Sequence, residues 1–550
     1  MKKTNRNIIG VGILALVMGI GIKAVAQNSI PASAKSETVP LTKEEYEMAK
    51  QIYFNRCAGC HGELRTGAIG PALTPDKMKQ LGIENIKTFI TYGSPKGMPD
   101  WGKSGVLTPQ QIDIMARFLQ LPPPSPPEFD LADINKTWEL TTPVNQRPRK
   151  PETTNDISNY MGVVLRSANE AAIIDDKTKK PVAILKTGHA LHILRADAFG
   201  EYFYAIGRDG KVSLIDLFYK HPKIVAQVKA CYDARSVEVS LYHGKDGDFR
   251  DKYAIVGCYW PPQFVILNGL TLQPLKVVST VGYQVGTGKF IRDPRVAAIV
   301  ASYYHPEWIV NVKETGQIWA VNYKDLHNLK ITMVSAAPFL HDGGWDSTKR
   351  YFLAAANASN KIAVFDAKKD KLVTLIDTPK LPHPGRGANI DNPKYGPLYC
   401  SSFIGNGVVA CIGTDPKHHP QYAWKVVKII KLPGEGGGSL FIKTNPHTKY
   451  MFVDRTLNPS TKLQRQFYAI DKDTLQVVHT FNLPSDLPGR FVDFDFNKQG
   501  TELWVSDWDR RGAILIYNPN TFKLEHIIKG KWVISPTGKF NVYNTVHDIY

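Results

Sequence analysis

Cys57-Ala58-Gly59-Cys60-His61 places two thiols three positions apart, with an imidazole directly after them. That spacing suits covalent attachment of a c-type haem, the thiols forming thioethers and His61 standing as an axial ligand. A CxxC pair also serves redox disulfides and zinc sites. Zinc needs a second ligand pair at suitable spacing, and a thioredoxin-like motif needs a βαβ pattern. Neither accompanies this stretch, so the haem reading stands.

Outward from the motif, Thr42-Lys43-Glu44-Glu45 reads as a capping box opening a helix through Arg56. Thr108-Pro109-Gln110-Gln111 opens another, with Ile112, Met115, Ala116 and Leu119 on one face. Between them lies Gly97-Met98-Pro99-Asp100-Trp101, where Met98 offers a thioether for the second axial position. The distance from His61 and the place before the last helix resemble small class I cytochromes c. An all-α cytochrome c domain is therefore expected over 42–120. Leu121-Pro122-Pro123-Pro124-Ser125-Pro126-Pro127 begins a stiff, Pro-rich linker, taken as 121–154.

Residues 1–26 combine Lys2, Lys3 and Arg6, the apolar run Ile8–Ile22 and Ala24-Val25-Ala26. This reads as an export signal cleaved after Ala26, followed by a flexible leader over 27–41. An uncleaved anchor is the alternative, but the apolar run is short for a span. Export points to the periplasm, where bacterial c-type haem is matured. The net charge is +18, yet basic and acidic residues are interspersed with no basic block. A mixed, solvated surface that steers anions fits better than a nucleic-acid partner.

From about Asn155 an apolar strand, a polar turn and a second apolar strand recur. The pattern is read at Ile173-Ile174-Asp175, Leu214-Ile215-Asp216, Val265-Ile266-Leu267-Asn268 and Trp319-Ala320-Val321-Asn322. It returns at Ala363-Val364-Phe365-Asp366, Val408–Thr414, Tyr468-Ala469-Ile470-Asp471 and Leu515-Ile516-Tyr517-Asn518. Eight hairpins spaced about 40–60 residues apart match the period of four-stranded propeller blades. The expected architecture is a small all-α domain followed by an all-β eight-bladed β-propeller over 155–550. Cys400 and Cys411 stand where they either pair across a hairpin or remain buried thiols; Cys231 and Cys258 read as packing.

Several propeller strings carry a family resemblance. They are Thr187-Gly188-His189-Ala190-Leu191-His192, Ala234-Arg235-Ser236-Val237-Glu238 and Tyr259-Trp260-Pro261-Pro262-Gln263. Pro338-Phe339-Leu340-His341-Asp342-Gly343-Gly344-Trp345-Asp346, His383-Pro384-Gly385-Arg386-Gly387-Ala388-Asn389 and Pro536-Thr537-Gly538-Lys539-Phe540-Asn541-Val542-Tyr543-Asn544 complete the set. With the haem motif they resemble the cytochrome cd1 nitrite reductases from Thr42 to Tyr550. The resemblance implies covalent haem c, non-covalent haem d1 in the propeller channel, and reduction of nitrite to nitric oxide by one electron and two protons. It makes His192 the proximal d1 ligand and sets His341 and His383 on the distal face. Arg166, Arg195, Arg208, Arg235 and Arg386 would surround the d1 carboxylates, with Tyr259 and Thr537 beside them. It also implies a soluble donor, a small cytochrome c or a blue-copper protein, and a homodimer.

The chemistry agrees with the residue types. Two imidazoles near neutral pKa suit delivery of protons and attraction of an anion, and arginines neutralise a polycarboxylate ring. The residues alone leave His189 as a rival of His192. One or two of the arginines are expected in inter-blade salt bridges instead. His305, His418, His419 and His547 are assigned no function. Two departures from the family pattern stand out. Some family members place a tyrosine from an N-terminal arm over d1; after the signal no tyrosine precedes Tyr46 here, so either no tyrosine gates this site or another chain supplies it, and Asp493 stands where a relative has glutamine. Two other functions remain in view: dehydrogenation of the d1 precursor during cofactor assembly, and a non-catalytic d1 carrier or electron-transfer module.

Overall fold

A computed structural model describes residues 40–67, 70–94 and 98–550. The signal-like segment and most of the leader lie outside them. Among the described residues no helix is long and apolar enough to cross a membrane.

The helical domain begins at Lys43–Ile52, where Thr42 and Glu45 close the expected capping box. The helix does not run smoothly to Arg56. It widens into a π turn over Tyr53–Cys57 before Ala58–His61, which carries the haem motif. Two helices the sequence reading did not foresee follow, Pro75–Leu81 and Ile83–Tyr92, ended by Gly82 and Gly93 at φ of 79° and 70°. Pro109–Phe118 closes the domain with a second capping box, Thr108 with Gln111. It packs on the first helix through an edge-on Tyr46–Phe118 contact, ring centroids 5.3 Å apart, and the Arg117–Glu45 ion pair at 3.1 Å.

The proline-rich stretch adheres to the propeller. Trp260 Nε1 donates to Pro127 O at 2.8 Å, and Gln263 Nε2 to Phe129 O at 3.0 Å. A short helix, Leu131–Lys136, leads to Glu139–Leu140, which pairs antiparallel with Lys223–Lys229 as an added outer strand.

Eight four-stranded antiparallel sheets form the propeller. The C-terminal strand Pro536–Asn541 is innermost in the first blade and pairs with Tyr160–Leu165, so the two ends of the domain close the ring in one sheet. Every one of the eight recurring strings falls on the third strand of a blade, from Glu170–Asp175 to Ala513–Tyr517. Those strands are sandwiched between neighbouring blades, which makes them uniformly apolar.

The cysteines correct one expectation and decide another. Cys231 and Cys258, read as packing, form a disulfide. Cys231 lies just before the strand Asp233–Val239, which pairs with Tyr253–Trp260 so that Cys258 stands opposite Ala234. A separation of 27 residues hid that proximity. Cys400 and Cys411 also form a disulfide, directly opposite one another across the hairpin.

Candidate active site

In the helical domain the haem motif is built for an axial imidazole. His61 Nδ1 lies 2.8 Å from Pro71 O, and a carbonyl only accepts, so Nδ1 holds the proton and Nε2 keeps its lone pair. Burial pushes the His61 pKa down, favouring that neutral form. Gly70 packs on the ring: a Cβ there would stand 2.9 Å from His61 Cε1. Cys57 and Cys60 are free thiols one helical turn apart. Burial pushes the Cys57 thiol up to about 12, against thiolate redox chemistry. Met98 packs against the same core, its carbonyl accepting from Ser94 N at 3.0 Å. This donor set fits a covalently held haem.

The second site lies in the propeller. His192 and Arg195 sit on the innermost strand Leu191–Ala196, Arg235 on Asp233–Val239, and His341 on Leu340–Trp345. His383 and Arg386 occupy the loop before Ala388–Asn392, and Thr537 the closing strand. A further row comes from the inter-strand turns. Arg166, Arg208, Tyr259 and Lys313 stand at or just past the ends of the second strands of the first four blades. Tyr259 is ringed by cations, with Arg208 at 5.4 Å, Arg235 at 6.0 Å, Arg295 at 5.0 Å and Lys313 at 5.9 Å from its centroid.

His192 joins this cluster and His189 does not. Arg166 Nη1 lies 3.4 Å from His192 Nδ1, and burial, reinforced by Arg235, Arg166 and Arg208, drives the His192 pKa well down. His192 is thus held as a neutral ring whose Nδ1 accepts from Arg166, a guanidinium having only donors, so a metal bound at Nε2 would require Arg166 to give up this contact and the ring hydrogen to shift to Nδ1. His189 instead meets Trp101 of the helical domain, ring centroids 5.2 Å apart.

The arginines divide into two groups. Arg208 is bidentate on Asp233, Nε to Oδ1 and Nη2 to Oδ2 both at 2.8 Å. Arg195 pairs with Glu238 at 3.3 Å and Asp548 at 3.7 Å, and Arg386 reaches Glu238 at 3.5 Å. Three of the five therefore meet protein carboxylates, where one or two were expected. Arg166 and Arg235 form no ion pair among the described residues. Burial, with Arg208 and Arg235 nearby, lowers the Arg166 pKa to about 10. Unpaired buried cations around an aromatic floor fit a flat ligand that bears carboxylates. Asp493 does not face this cluster freely, since its Oδ2 accepts from Lys539 N at 2.9 Å.

His341 and His383 stand with ring centroids 5.1 Å apart. Asp342 bridges them, Oδ1 at 2.7 Å from His341 Nδ1 and Oδ2 at 3.2 Å from His383 Nε2. His383 Nδ1 also faces Leu440 O at 3.0 Å. Of the two ring contacts of His383, the one from Nδ1 to Leu440 O is a hydrogen bond, while Asp342 stands within ion-pair distance of Nε2. Burial pushes His341 down to about 3 despite Asp342, so its ring carries the proton at Nδ1. Burial opposes ionisation of Asp342, but the charges of His341 and His383 hold its carboxyl well below the usual range. His341, Asp342 and His383 each offer one ligand atom within 4.8 Å of the others, and the His341–Asp342 contact is a hydrogen bond.

Asp342, Glu238, Lys313, Asp233 and Arg295 escaped the sequence reading as site residues. Asp342 and Glu238 lie inside quoted strings. Lys313 shares the register of Arg166 and Arg208 at the end of a second strand, the one signal that could have found it.

The cytochrome D1 haem domain family matches residues 155–545, and the cytochrome c oxidase cbb3-type subunit III family matches 44–119. A nitrite reductase from Stutzerimonas stutzeri is 44% identical across 98% of this chain and 100% of its own length. A dihydro-haem d1 dehydrogenase from Pseudomonas aeruginosa is 26% identical across 90% of this chain and 93% of its own. Among solved structures, a dihydro-haem d1 dehydrogenase in complex with DHE superposes with a TM-score of 0.70 at 24% identity, covering 91% of this chain and 100% of that one. That last likeness speaks to the fold. The two family matches imply haem c in the helical domain and haem d1 in the propeller, both iron-containing. With a haem c motif, a cation-lined channel and close identity along the whole chain, this protein belongs to the cytochrome cd1 nitrite reductase family.

Proposed function

We propose that the protein is a periplasmic nitrite reductase that forms nitric oxide and water from nitrite, one electron and two protons. The observation that carries this reading is the distal pair, two histidines bridged by one carboxylate inside a cation-rich channel. The near full-length identity to a nitrite reductase supports it.

Haem d1, when bound, supplies a ferrous iron that takes nitrite and passes it the electron received through haem c. His192 would hold that iron, and Arg166 and Arg235 would face the carboxylates of the macrocycle. The guanidiniums of Arg166 and Arg235, unpaired among the described residues, draw the anion in. His341 Nε2 meets no protein acceptor among the described residues, and with Nδ1 already carrying the ring's hydrogen it presents a proton to the substrate oxygen once the ring takes up a second one. An anion beside it raises the ring's affinity for that proton, against the effect of burial. Two protons on one oxygen make it leave as water. His61 and Met98 are proposed as the axial pair of haem c. A small cytochrome c or blue-copper protein is the proposed donor, and a homodimer the proposed assembly.

Nitric oxide release from nitrite by the holoprotein with reduced donor tests the proposal. The expected result is turnover that falls at least a hundredfold in His341→Ala and His383→Ala. Full d1 loading with no nitric oxide formed, alongside oxidation of a d1 precursor, would move the assignment to cofactor assembly.

A further inference from the structure

We propose that Asp342 is the positioning residue of the distal pocket, a single carboxylate set between both histidines that holds their rings in place. The proposal rests on the nitrite-reductase reading for its purpose, but its geometry is independent of it. Asp342 lies on the innermost strand Leu340–Trp345, directly after His341, while His383 arrives from the loop of the next blade. Among the described residues no other carboxylate contacts both rings. Each oxygen of Asp342 is committed to a different ring, at 2.7 and 3.2 Å.

The backbone reinforces the arrangement. Asn311 Nδ2 donates to His341 O at 2.8 Å, fixing one partner, and Ser402 Oγ donates to His383 O at 2.8 Å, fixing the other. His383 Nδ1 is held by Leu440 O at 3.0 Å, so rotation of the ring would break two contacts. Nε2 of the same ring lies 3.2 Å from Asp342 Oδ2, within ion-pair distance. The other oxygen of Asp342 hydrogen-bonds His341 Nδ1 at 2.7 Å, and hydrogen bonds to an ionised carboxylate are roughly twice as strong as neutral ones.

The charged surroundings are otherwise positive. Lys313 from the turn after Glu307–Val312 acts on His341, and Arg235 on Asp342, while His341 in turn acts on His192. Tyr399 from the neighbouring blade senses Asp342 as well. Arg386 shares the His383 loop but pairs with Glu238. Among these groups Asp342 supplies the negative charge next to both imidazoles, so removing it makes protonation of each ring harder.

The test uses the full-length holoenzyme with Asp342→Asn, which keeps the shape but cannot accept from both rings, and Asp342→Glu, which keeps the charge. Cyanide binding to reduced d1, followed optically, reads the pocket's affinity for an anion without turnover. We expect about tenfold weaker cyanide binding in Asp342→Asn, partial recovery in Asp342→Glu, and an alkaline limb of nitrite turnover moved to lower pH. Unchanged cyanide affinity and an unchanged pH profile, in a variant that retains the d1 spectrum, would overturn the proposal. Weakened cyanide binding in a protein whose wild type makes no nitric oxide would leave this inference standing while the proposed reaction fell.

Discussion

Arg208 of the propeller reaches into the haem c motif: its Nη2 lies 3.5 Å from the carbonyl oxygen of Gly59. The same guanidinium is clamped on Asp233, two residues beyond the disulfide-bonded Cys231. The contact leaves no room for a side chain at position 59. A Cβ there would meet Asp233 Oδ2 at 2.9 Å and Arg208 Nη2 at 3.3 Å. Gly59→Ala is therefore expected to push the two domains apart while leaving both haems in place. Electron transfer from haem c to d1, followed by rapid mixing, should slow severalfold with unchanged absorption spectra. A normal rate would mean that docking tolerates the extra methyl group.

The two disulfides make a second comparison. Cys231–Cys258 closes a loop of 27 residues and Cys400–Cys411 one of 11. In the chain-entropy view, each contributes about 3 kcal/mol, and the longer loop about 0.8 kcal/mol more. Paired serine substitutions followed by urea denaturation should rank them in that order. Equal losses would show that the buried environment, and not loop length, dominates.

What was legible in the chain follows from which residues physics constrains on their own. The third strand of each blade is covered on both sides, so strings such as Ala363-Val364-Phe365 betray it without help from neighbours. The innermost strands are different. Leu340–Trp345 carries His-Asp-Gly-Gly between its apolar ends, and no hydrophobic period marks it. Asp342 and Glu238 were therefore visible as letters but not as partners, since each meets its counterparts across blades. Asn135 and Trp138 gave no sign that the linker adheres to the propeller; the Trp138 Nε1 bond to Thr271 O is a contact 133 residues away.

Lys313 gives a pH-dependent prediction. Burial, with Arg295 beside it, pulls its pKa from the ordinary 10.5 down to about 7. Below pH 7 the lysine is charged in both folded and unfolded chains, so the folded state carries the full desolvation cost. Between 7 and 10.5 the unfolded chain binds more protons, and stability attributable to this group rises with pH. In d1-free protein, Lys313→Met should raise the melting temperature at pH 6, with the gain shrinking towards pH 10. The same change should weaken d1 retention, since a cation over Tyr259 is lost. A variant with no gain at pH 6 would show that solvent reaches the amine.

The arginines predict opposite responses to the same substitution. Arg208→Gln leaves Asp233, which is 2% exposed, as a buried carboxylate without its partner. Breaking a buried pair in this way costs about 3–5 kcal/mol. Arg166 and Arg235 have no such partner among the described residues, so Arg166→Gln and Arg235→Gln remove a charge and leave no carboxylate stranded. The d1-free protein should then keep or gain stability in those two variants and lose it in Arg208→Gln. Retention of d1 on gel filtration should fall in Arg166→Gln and Arg235→Gln, because the carboxylates of the macrocycle lose their counter-charges. If Arg166→Gln destabilised the d1-free protein as much as Arg208→Gln, its 3.4 Å contact with His192 would be holding the channel together in the absence of cofactor. Measuring melting temperature and d1 retention on the same three proteins separates a residue kept for the fold from one kept for the cofactor.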